Sequence, residues 1–255
     1  MIILPWRPSA HPDELYRSFA ERPDISALSG REGFDDRTER VNRAILERLD
    51  FAPSHRVLDV GCGDASLMRR VLPVARAVGT VLTEAERARL AAAGYSIEFY
   101  RASFDEIPTI EGEFDRIVAN SCLMFARTDA GGRSAVSNLA AKLAPRGKLW
   151  LGELLEKRCD RHVYRSSMQA IKLVRRRLGC WGAARFARHI IRRRSRADAF
   201  VELGCRLWHT TPEKIAALAA DLGLGVDGWW RCEEMTGDPL YALQNRFSVL
   251  LVKPS

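Results

Sequence analysis

The sequence lacks any run of about 18 consecutive apolar residues, the length that a membrane-spanning helix needs. The apolar start "MIILP" is interrupted at Pro5 and Arg7, so it is too short for a secretory signal sequence. Internal repeats and low-complexity linkers are also missing. We therefore expect a soluble, cytoplasmic protein.

Closely spaced cysteines are missing as well. No two cysteines form a CxxC pair, and none joins a histidine in a cluster with the spacing of a zinc site. We therefore expect reduced thiols and no metal site. The six cysteines stand at positions 62, 122, 159, 180, 205 and 232.

Positive charge is concentrated in one segment. Residues 157–196 contain 14 Lys or Arg and a single acid, Asp160, whereas the rest of the chain has 26 basic and 31 acidic residues. The formal net charge of +8 therefore depends on this segment alone. A run of this kind is either a solvated surface or a binding surface for an anionic partner.

Strand and helix patterns alternate along the chain. At 255 residues with 47% hydrophobic content, it is long enough for one large α/β domain or a core with a subdomain. Apolar strands such as "RVLDV" are followed by helical patterns such as "EAERARLAAAG", which predicts a parallel sheet covered on both faces. Near the end, "VDGWWRCEEM" and "RFSVLLVKP" predict two strands that pair as a hairpin.

The most informative motif is "VLDVGCGDASL", residues 57–67. Glycines between a strand and a helix leave bare peptide groups for a nucleotide-like ligand at the strand's carboxyl end. A dinucleotide site would need a third glycine where Ser66 stands, and Asp64 would lie beside its phosphates. Both residues favour S-adenosylmethionine, which carries no phosphate.

The motif resembles the glycine-rich turn of the class I S-adenosylmethionine-dependent methyltransferases. Downstream, "ASFDEIPTIEGEFDRIVANSCLMF" is similar to the family's acidic loop and fourth strand, and "LAAKLAPRGKLWLGE" to its next helix, turn and fifth strand. The resemblance implies a Rossmann-like three-layer sandwich around a mostly parallel seven-stranded sheet with an antiparallel C-terminal strand pair, plus a basic helical insertion.

The resemblance also implies a division of the chain into four parts. Residues 1–50 would be an N-terminal helical segment and residues 51–155 the S-adenosylmethionine-binding core. Residues 156–205 would form the basic helical insertion, placed as a cap over the sheet edge. Residues 206–255 would add a helix and the antiparallel strand pair that complete the core.

S-Adenosylmethionine is the cofactor that the resemblance implies, with Asp59 helping to hold its amino group directly or through water. The family usually binds both ribose hydroxyls with a carboxylate at the end of the second strand, but Val81 stands there. Thr83 or Glu84 would then reach the ribose, or backbone and water hold it, or the cofactor binds weakly. The implied cofactor-binding residues are Asp59, Gly61, Cys62, Gly63, Val81, Leu82, Ser103, Phe104, Asn120 and Ser121.

Catalytic residues are less well defined, because methyl transfer depends mainly on alignment and needs a base chiefly when the acceptor is a hydroxyl. Candidates near the carboxyl edge of the sheet are Glu153, His162 and Tyr164. Each also has a structural interpretation: Glu153 as a structural acid, His162 as a surface residue and Tyr164 as part of an apolar helical stripe.

Three functions are consistent with these observations. The first is a methyltransferase that acts on an O or N atom of a small or glycan-like acceptor, with anionic acceptors and contact with a membrane surface among the roles open to the Arg-rich segment. The second is an RNA methyltransferase that uses this segment for phosphate contacts, although no RNA-binding module is visible. The third is a non-catalytic protein with the same fold.

Overall fold

The computed structural model of the chain describes residues 16, 17, 19–30, 35–156, 207–238, 241 and 246–255, together with residues 175, 179–181, 183, 184, 187 and 188. Most of the predicted basic insertion, with His162 and Tyr164, lies outside the described residues. Among the described residues, no helix has the length and apolar character needed to cross a membrane.

One sheet forms the centre of the molecule. Its strands are β1 (Arg56–Val60), β2 (Arg76–Val81), β3 (Glu98–Arg101), β4 (Phe114–Asn120), β5 (Leu143–Leu155), β6 (Gly225–Arg231) and β7 (Arg246–Val252). They lie in the order β3-β2-β1-β4-β5-β7-β6. Strands β1 to β5 pair in parallel, and β7 runs antiparallel to both β5 and β6. The predicted sheet with its antiparallel C-terminal strand pair is therefore confirmed, whereas the basic helical insertion stays a prediction.

Helices and 3₁₀ turns connect these strands. The helices are α1 (Asp35–Leu49), α2 (Met68–Val71), α3 (Glu84–Ala92), α4 (Asp129–Ala141), α5 (Pro212–Asp221) and α6 (Cys232–Thr236), and the 3₁₀ helices are Ile25–Ser29, Ile107–Thr109 and Leu123–Ala126. Helix α1 buries an apolar face, with Val41, Ile45 and Leu49 fully inaccessible to solvent. Helix α5 begins with Thr211 as its cap.

Two helices end earlier than the sequence patterns indicate, and proline explains both. The pattern "ASLMRRVLPVA" gives only the short α2, because Pro73 forces Leu72 into an extended conformation. The helix predicted to stop at Pro145 and Gly147 ends at Ala141, and "LAPRG" joins β5 instead of forming a turn, since Pro145 disfavours a helical residue before it.

The topology defines one edge of the sheet as the place for a ligand. The carboxyl ends of the parallel strands lie along this edge, and β7 begins there because Arg246 pairs with Leu155. Strand β1 has β2 on one side and β4 on the other, so the strand order reverses between them. A ligand crevice is expected at such a reversal.

Candidate functional site

A pocket of about 470 Å³ opens at this edge, a volume typical of small-molecule sites. It gathers every cofactor-binding residue predicted from the sequence, together with the catalytic candidate Glu153. The predicted residues that line it are Asp59, Gly61, Cys62, Gly63, Val81, Leu82, Ser103, Phe104, Asn120, Ser121 and Glu153.

The glycine-rich turn after β1 needs its two glycines for conformation and for packing. Gly61 and Gly63 have φ angles of 69° and 57°, in the left-handed region that favours glycine. A Cβ on Gly61 would lie 2.9 Å from Cys122 Cβ, and a Cβ on Gly63 would lie 3.0 Å from Ser29 Cα. The 3₁₀ helix Ile25–Ser29 therefore packs directly on the turn, and peptide groups form this wall of the pocket.

Two buried carboxylates make the same end of the pocket acidic. Asp59 and Asp64 are 4% and 8% exposed. Burial, followed by the neighbouring Asp64 charge, raises the pKa of Asp59 to about 7, and no cation of the described residues is among the causes. An ammonium group bound here would favour the ionised form of Asp59. The pocket beside the glycine turn is therefore suited to a cationic group.

The ends of β2 and β3 present a more apolar wall. Val81 and Leu82 contribute apolar side chains, and Phe104 adds an aromatic ring. The backbone N–H and hydroxyl of Ser103 both donate to Glu106 Oε2 at 2.8 Å, while the carbonyl of Phe104 accepts from Asn138 Nδ2 at 3.0 Å. These bonds fix the loop, and they direct the Ser103 hydroxyl proton away from any ligand.

The residues after β4 lie in the middle of the pocket. Ser121 is held in a left-handed conformation, with φ 59°, and its N–H donates to the Gly152 carbonyl at 3.0 Å. Cys122 Sγ donates to the Val60 carbonyl at 3.2 Å, and burial raises the pKa of this thiol. Cys122 is therefore a protonated structural residue, not a nucleophile.

Glu153 enters the pocket because β5 is irregular. The register between β5 and β7 shifts between Leu151 and Leu154, and Glu153 has a φ angle of 54°. A bulge of this kind redirects a side chain that regular alternation would place elsewhere. The Glu153 side chain is 1% exposed.

Two side chains bind the Glu153 carboxylate, and Arg37 lies against one of them. Tyr241 Oη donates to Glu153 Oε1 at 2.5 Å, and Arg246 Nη1 donates to Glu153 Oε2 at 2.6 Å and to Ser121 Oγ at 3.3 Å. The Arg37 guanidinium lies 4.9 Å from the centre of the Tyr241 ring, and its Nε donates to Asp238 Oδ2 at 2.7 Å. The two arginine charges are thus balanced by two carboxylates.

The site also contains Arg37, Tyr241 and Arg246, which the sequence alone does not predict. Arg37 belongs to the polar face of a helix that is predictable, whereas Tyr241 and Arg246 are separated from Glu153 by 88 and 93 positions. No local pattern signals such contacts. His162 and Tyr164 stay predictions, since they lie outside the described residues.

The lining fits S-adenosylmethionine. Bare peptide groups and the acidic pair Asp59 and Asp64 suit the amino-acid end of that molecule, and Phe104 offers an aromatic surface at the other side of the glycine turn. The remaining end, around Glu153, extends the pocket across β5 and β7.

Comparisons with known proteins agree with this fit. Residues 57–147 match the model of a methyltransferase domain family. A chain in the complex between the Haloferax volcanii Trm112 methyltransferase activator and the putative methyltransferase is 13% identical, with a TM-score of 0.62, over 95% of this chain and 97% of that chain. No curated protein gives a significant sequence match.

Two further solved structures are similar over nearly the whole chain. The N-methyltransferase NodS from Bradyrhizobium japonicum WM9, in complex with S-adenosyl-L-homocysteine, has a TM-score of 0.57 and 14% identity, over 96% of this chain and 100% of that chain. Magnesium protoporphyrin IX methyltransferase (ChlM) from Synechocystis PCC 6803, with bound SAH, has a TM-score of 0.52 and 12% identity, over 94% and 93%. The match to a methyltransferase domain covers residues 57–147, and the solved structures share the Rossmann-like fold over nearly the whole chain, so the fold that the sequence predicts is confirmed.

Proposed function

We propose that this protein transfers the methyl group of S-adenosylmethionine to a hydroxyl or amine group of a small-molecule acceptor. One observation carries the proposal: a single pocket contains both the glycine-rich turn and the buried cluster of Glu153, Tyr241 and Arg246. A donor bound at the turn would therefore have its methyl acceptor beside it, within the same pocket.

The cofactor would supply the chemistry, because a nucleophile can attack the methyl carbon of its sulfonium and displace the neutral thioether. The chain's own residues bind and orient. Asp59 and Asp64 provide the negative charge that an ammonium group needs, and the glycine-rich turn holds the neighbouring atoms with peptide groups. Alignment of this kind accounts for much of the rate enhancement in transfer reactions.

At the acceptor end, Glu153 and Tyr241 can accept a proton or a hydrogen bond. Arg246 keeps the Glu153 carboxylate paired with a positive charge, and Tyr241 donates its own proton to Glu153. An acceptor O–H or N–H placed here would be oriented toward the donor. This arrangement supports Glu153 as a catalytic residue and adds Tyr241.

The charge balance of the cluster supports an acceptor whose reacting part is neutral. Arg246 is paired with Glu153 and Arg37 with Asp238, so the charge of each arginine in this cluster is balanced by a carboxylate. An anionic acceptor, a membrane surface or RNA would depend on residues 157–196, which lie mostly outside the described residues.

The proposal is tested by isotope transfer. The protein is incubated with S-adenosyl-[methyl-²H₃]methionine and a cell extract divided by ultrafiltration into small molecules and macromolecules, and mass spectrometry locates the label. We expect ²H₃-methyl groups on small molecules with the wild-type protein and none with Asp59→Asn. Label confined to RNA would overturn the acceptor class. Failure of S-adenosylhomocysteine to bind in calorimetry would instead favour a non-catalytic protein.

A further inference from the structure

The pocket has an unusual wall where a ribose would lie. The two neighbouring hydroxyls of a ribose are both hydrogen-bond donors, so a carboxylate suits them well. At the end of β2, however, Val81 is 2% exposed and apolar, and Leu82 adds a second apolar side chain. Neither side chain can accept a hydrogen bond.

The two substitutes suggested by the sequence are directed elsewhere. Glu84 is exposed, and its Oε1 accepts from Arg87 Nε at 2.8 Å. The Thr83 hydroxyl caps α3, accepting from the N–H of Glu86 at 3.3 Å and donating to Glu86 Oε2 at 2.8 Å. Neither Thr83 nor Glu84 belongs to the described residues that line the pocket.

Glu86, in the first turn of α3, has the properties that Val81 lacks. It is 2% exposed, it lines the pocket, and its Oε2 accepts from the Thr83 N–H at 2.9 Å. Burial raises the pKa of the Cys62 thiol most, followed by the charge of Asp59 and then the charge of Glu86. The Glu86 carboxylate therefore lies near the glycine-rich turn. The N-terminus of α3 stabilises a negative charge at this position.

We propose that Glu86 accepts hydrogen bonds from the ribose hydroxyls of S-adenosylmethionine, replacing the carboxylate that the end of β2 lacks. The Glu86 carboxylate lines the pocket, and hydrogen bonds from hydroxyls to a carboxylate are stronger than those between neutral groups. The capping interaction holds the carboxylate in one orientation, which reduces the entropy cost of binding a diol. The inference rests on the proposed function, because it concerns the same cofactor.

Calorimetric titration of the full-length protein tests it with two probes, S-adenosylhomocysteine and its 3′-deoxy analogue. Glu86→Gln retains a capping-box side chain, so it should keep the fold while losing the charge. We expect it to bind S-adenosylhomocysteine about 10- to 100-fold more weakly than the wild type. The wild type should bind the 3′-deoxy analogue about tenfold more weakly than S-adenosylhomocysteine, and Glu86→Gln should bind both probes alike.

The outcomes separate this inference from the proposed function. No binding of S-adenosylhomocysteine to the wild type overturns both. Wild-type affinity in Glu86→Gln, or an undiminished preference for the complete diol, overturns only the role of Glu86. Glu84→Gln is the matched control and should bind as the wild type does. If Glu86→Gln does not fold, Glu86→Asp replaces it. Because its side chain is shorter, Glu86→Asp should lose most of the preference for S-adenosylhomocysteine over the 3′-deoxy analogue. A preference equal to that of the wild type would overturn the inference.

Discussion

Glu153 and Arg246 form a buried ion pair between the ends of β5 and β7, with Oε2 and Nη1 2.6 Å apart and side chains 1% and 10% exposed. Burying two charges costs several kcal/mol per ion, which their attraction only partly returns. Glu153 is also held at a φ angle of 54°. A buried ion pair and a strained backbone conformation both cost free energy of folding, and their presence at a pocket wall is typical of a functional site.

The first prediction concerns the stability of this pair. Glu153→Leu should lower the free energy of unfolding by about 3–5 kcal/mol, because it leaves the Arg246 charge buried without its partner. The double variant Glu153→Leu, Arg246→Leu should recover much of this loss. Urea denaturation of the two single variants and the double variant gives the coupling energy. Additive losses would show that the pair does not interact in solution.

A second prediction separates catalysis from cofactor binding. Tyr241→Phe removes one hydroxyl that donates to Glu153, and we expect methyl transfer to fall by about 10²-fold or more. Binding of S-adenosylhomocysteine should stay within about threefold of the wild type, since the glycine-rich turn is untouched. The measurements are ²H₃-methyl transfer and calorimetry. An equal loss of affinity and turnover would assign Tyr241 to cofactor binding.

Cofactor affinity should depend on pH through Asp59. Burial, with Asp64 as the second cause, raises the pKa of Asp59 to about 7 in the protein without ligand, and the ligand's ammonium group requires the ionised carboxylate. Affinity for S-adenosylhomocysteine should therefore fall by about tenfold per pH unit below 7 and level off above it. Calorimetry at pH 6, 7 and 8 measures this. Asp59→Asn should bind weakly at each pH, whereas a flat wild-type profile would contradict the role of Asp59.

The ionisation of Asp59 should also lower the free energy of unfolding as pH rises, whereas it raises cofactor affinity. In the unfolded chain Asp59 has its ordinary pKa of 3.8, so between about pH 4 and pH 7 the folded protein binds the extra proton. The contribution of Asp59 to the free energy of unfolding therefore decreases as pH rises through this window. Without ligand, Asp59→Asn should be more stable than the wild type by a few kcal/mol at pH 8 and by less at pH 5. Urea denaturation at both pH values provides the measurement, and a gain that does not grow with pH would argue against a buried, ionised Asp59.

The cofactor end of the site was predictable because its signal is local. The residues between Asp59 and Ser66 are consecutive, and both the strand and the turn leave a clear pattern. The acceptor end was not predictable, because Arg246 meets Ser121 across 125 positions and Glu153 depends on a bulge that strand alternation does not reveal. Contacts between residues so far apart in the sequence depend on how the whole sheet packs.

Glu86 illustrates the same limit within one helix. The capping box of Thr83 and Glu86 is readable as a sequence pattern, and it does begin α3. The pattern says nothing about which side of the helix start faces the pocket, since that depends on how α3 packs against the sheet. The exposed Glu84, two residues earlier, has the same side chain and the opposite environment.

The final prediction compares two glycines that share a conformation and differ in surroundings. Gly63 and Gly94 have φ angles of 57° and 71°, so alanine at either position should cost about 1–2 kcal/mol in backbone strain. A Cβ on Gly94 meets nothing within 4 Å, whereas one on Gly63 would lie 3.0 Å from Ser29 Cα and displace the 3₁₀ helix that covers the turn. Gly63→Ala should therefore lose at least tenfold in affinity for S-adenosylhomocysteine by calorimetry, and Gly94→Ala should bind as the wild type does. Equal affinities in the two variants would mean that contact between the turn and the Ile25–Ser29 helix does not shape the cofactor site.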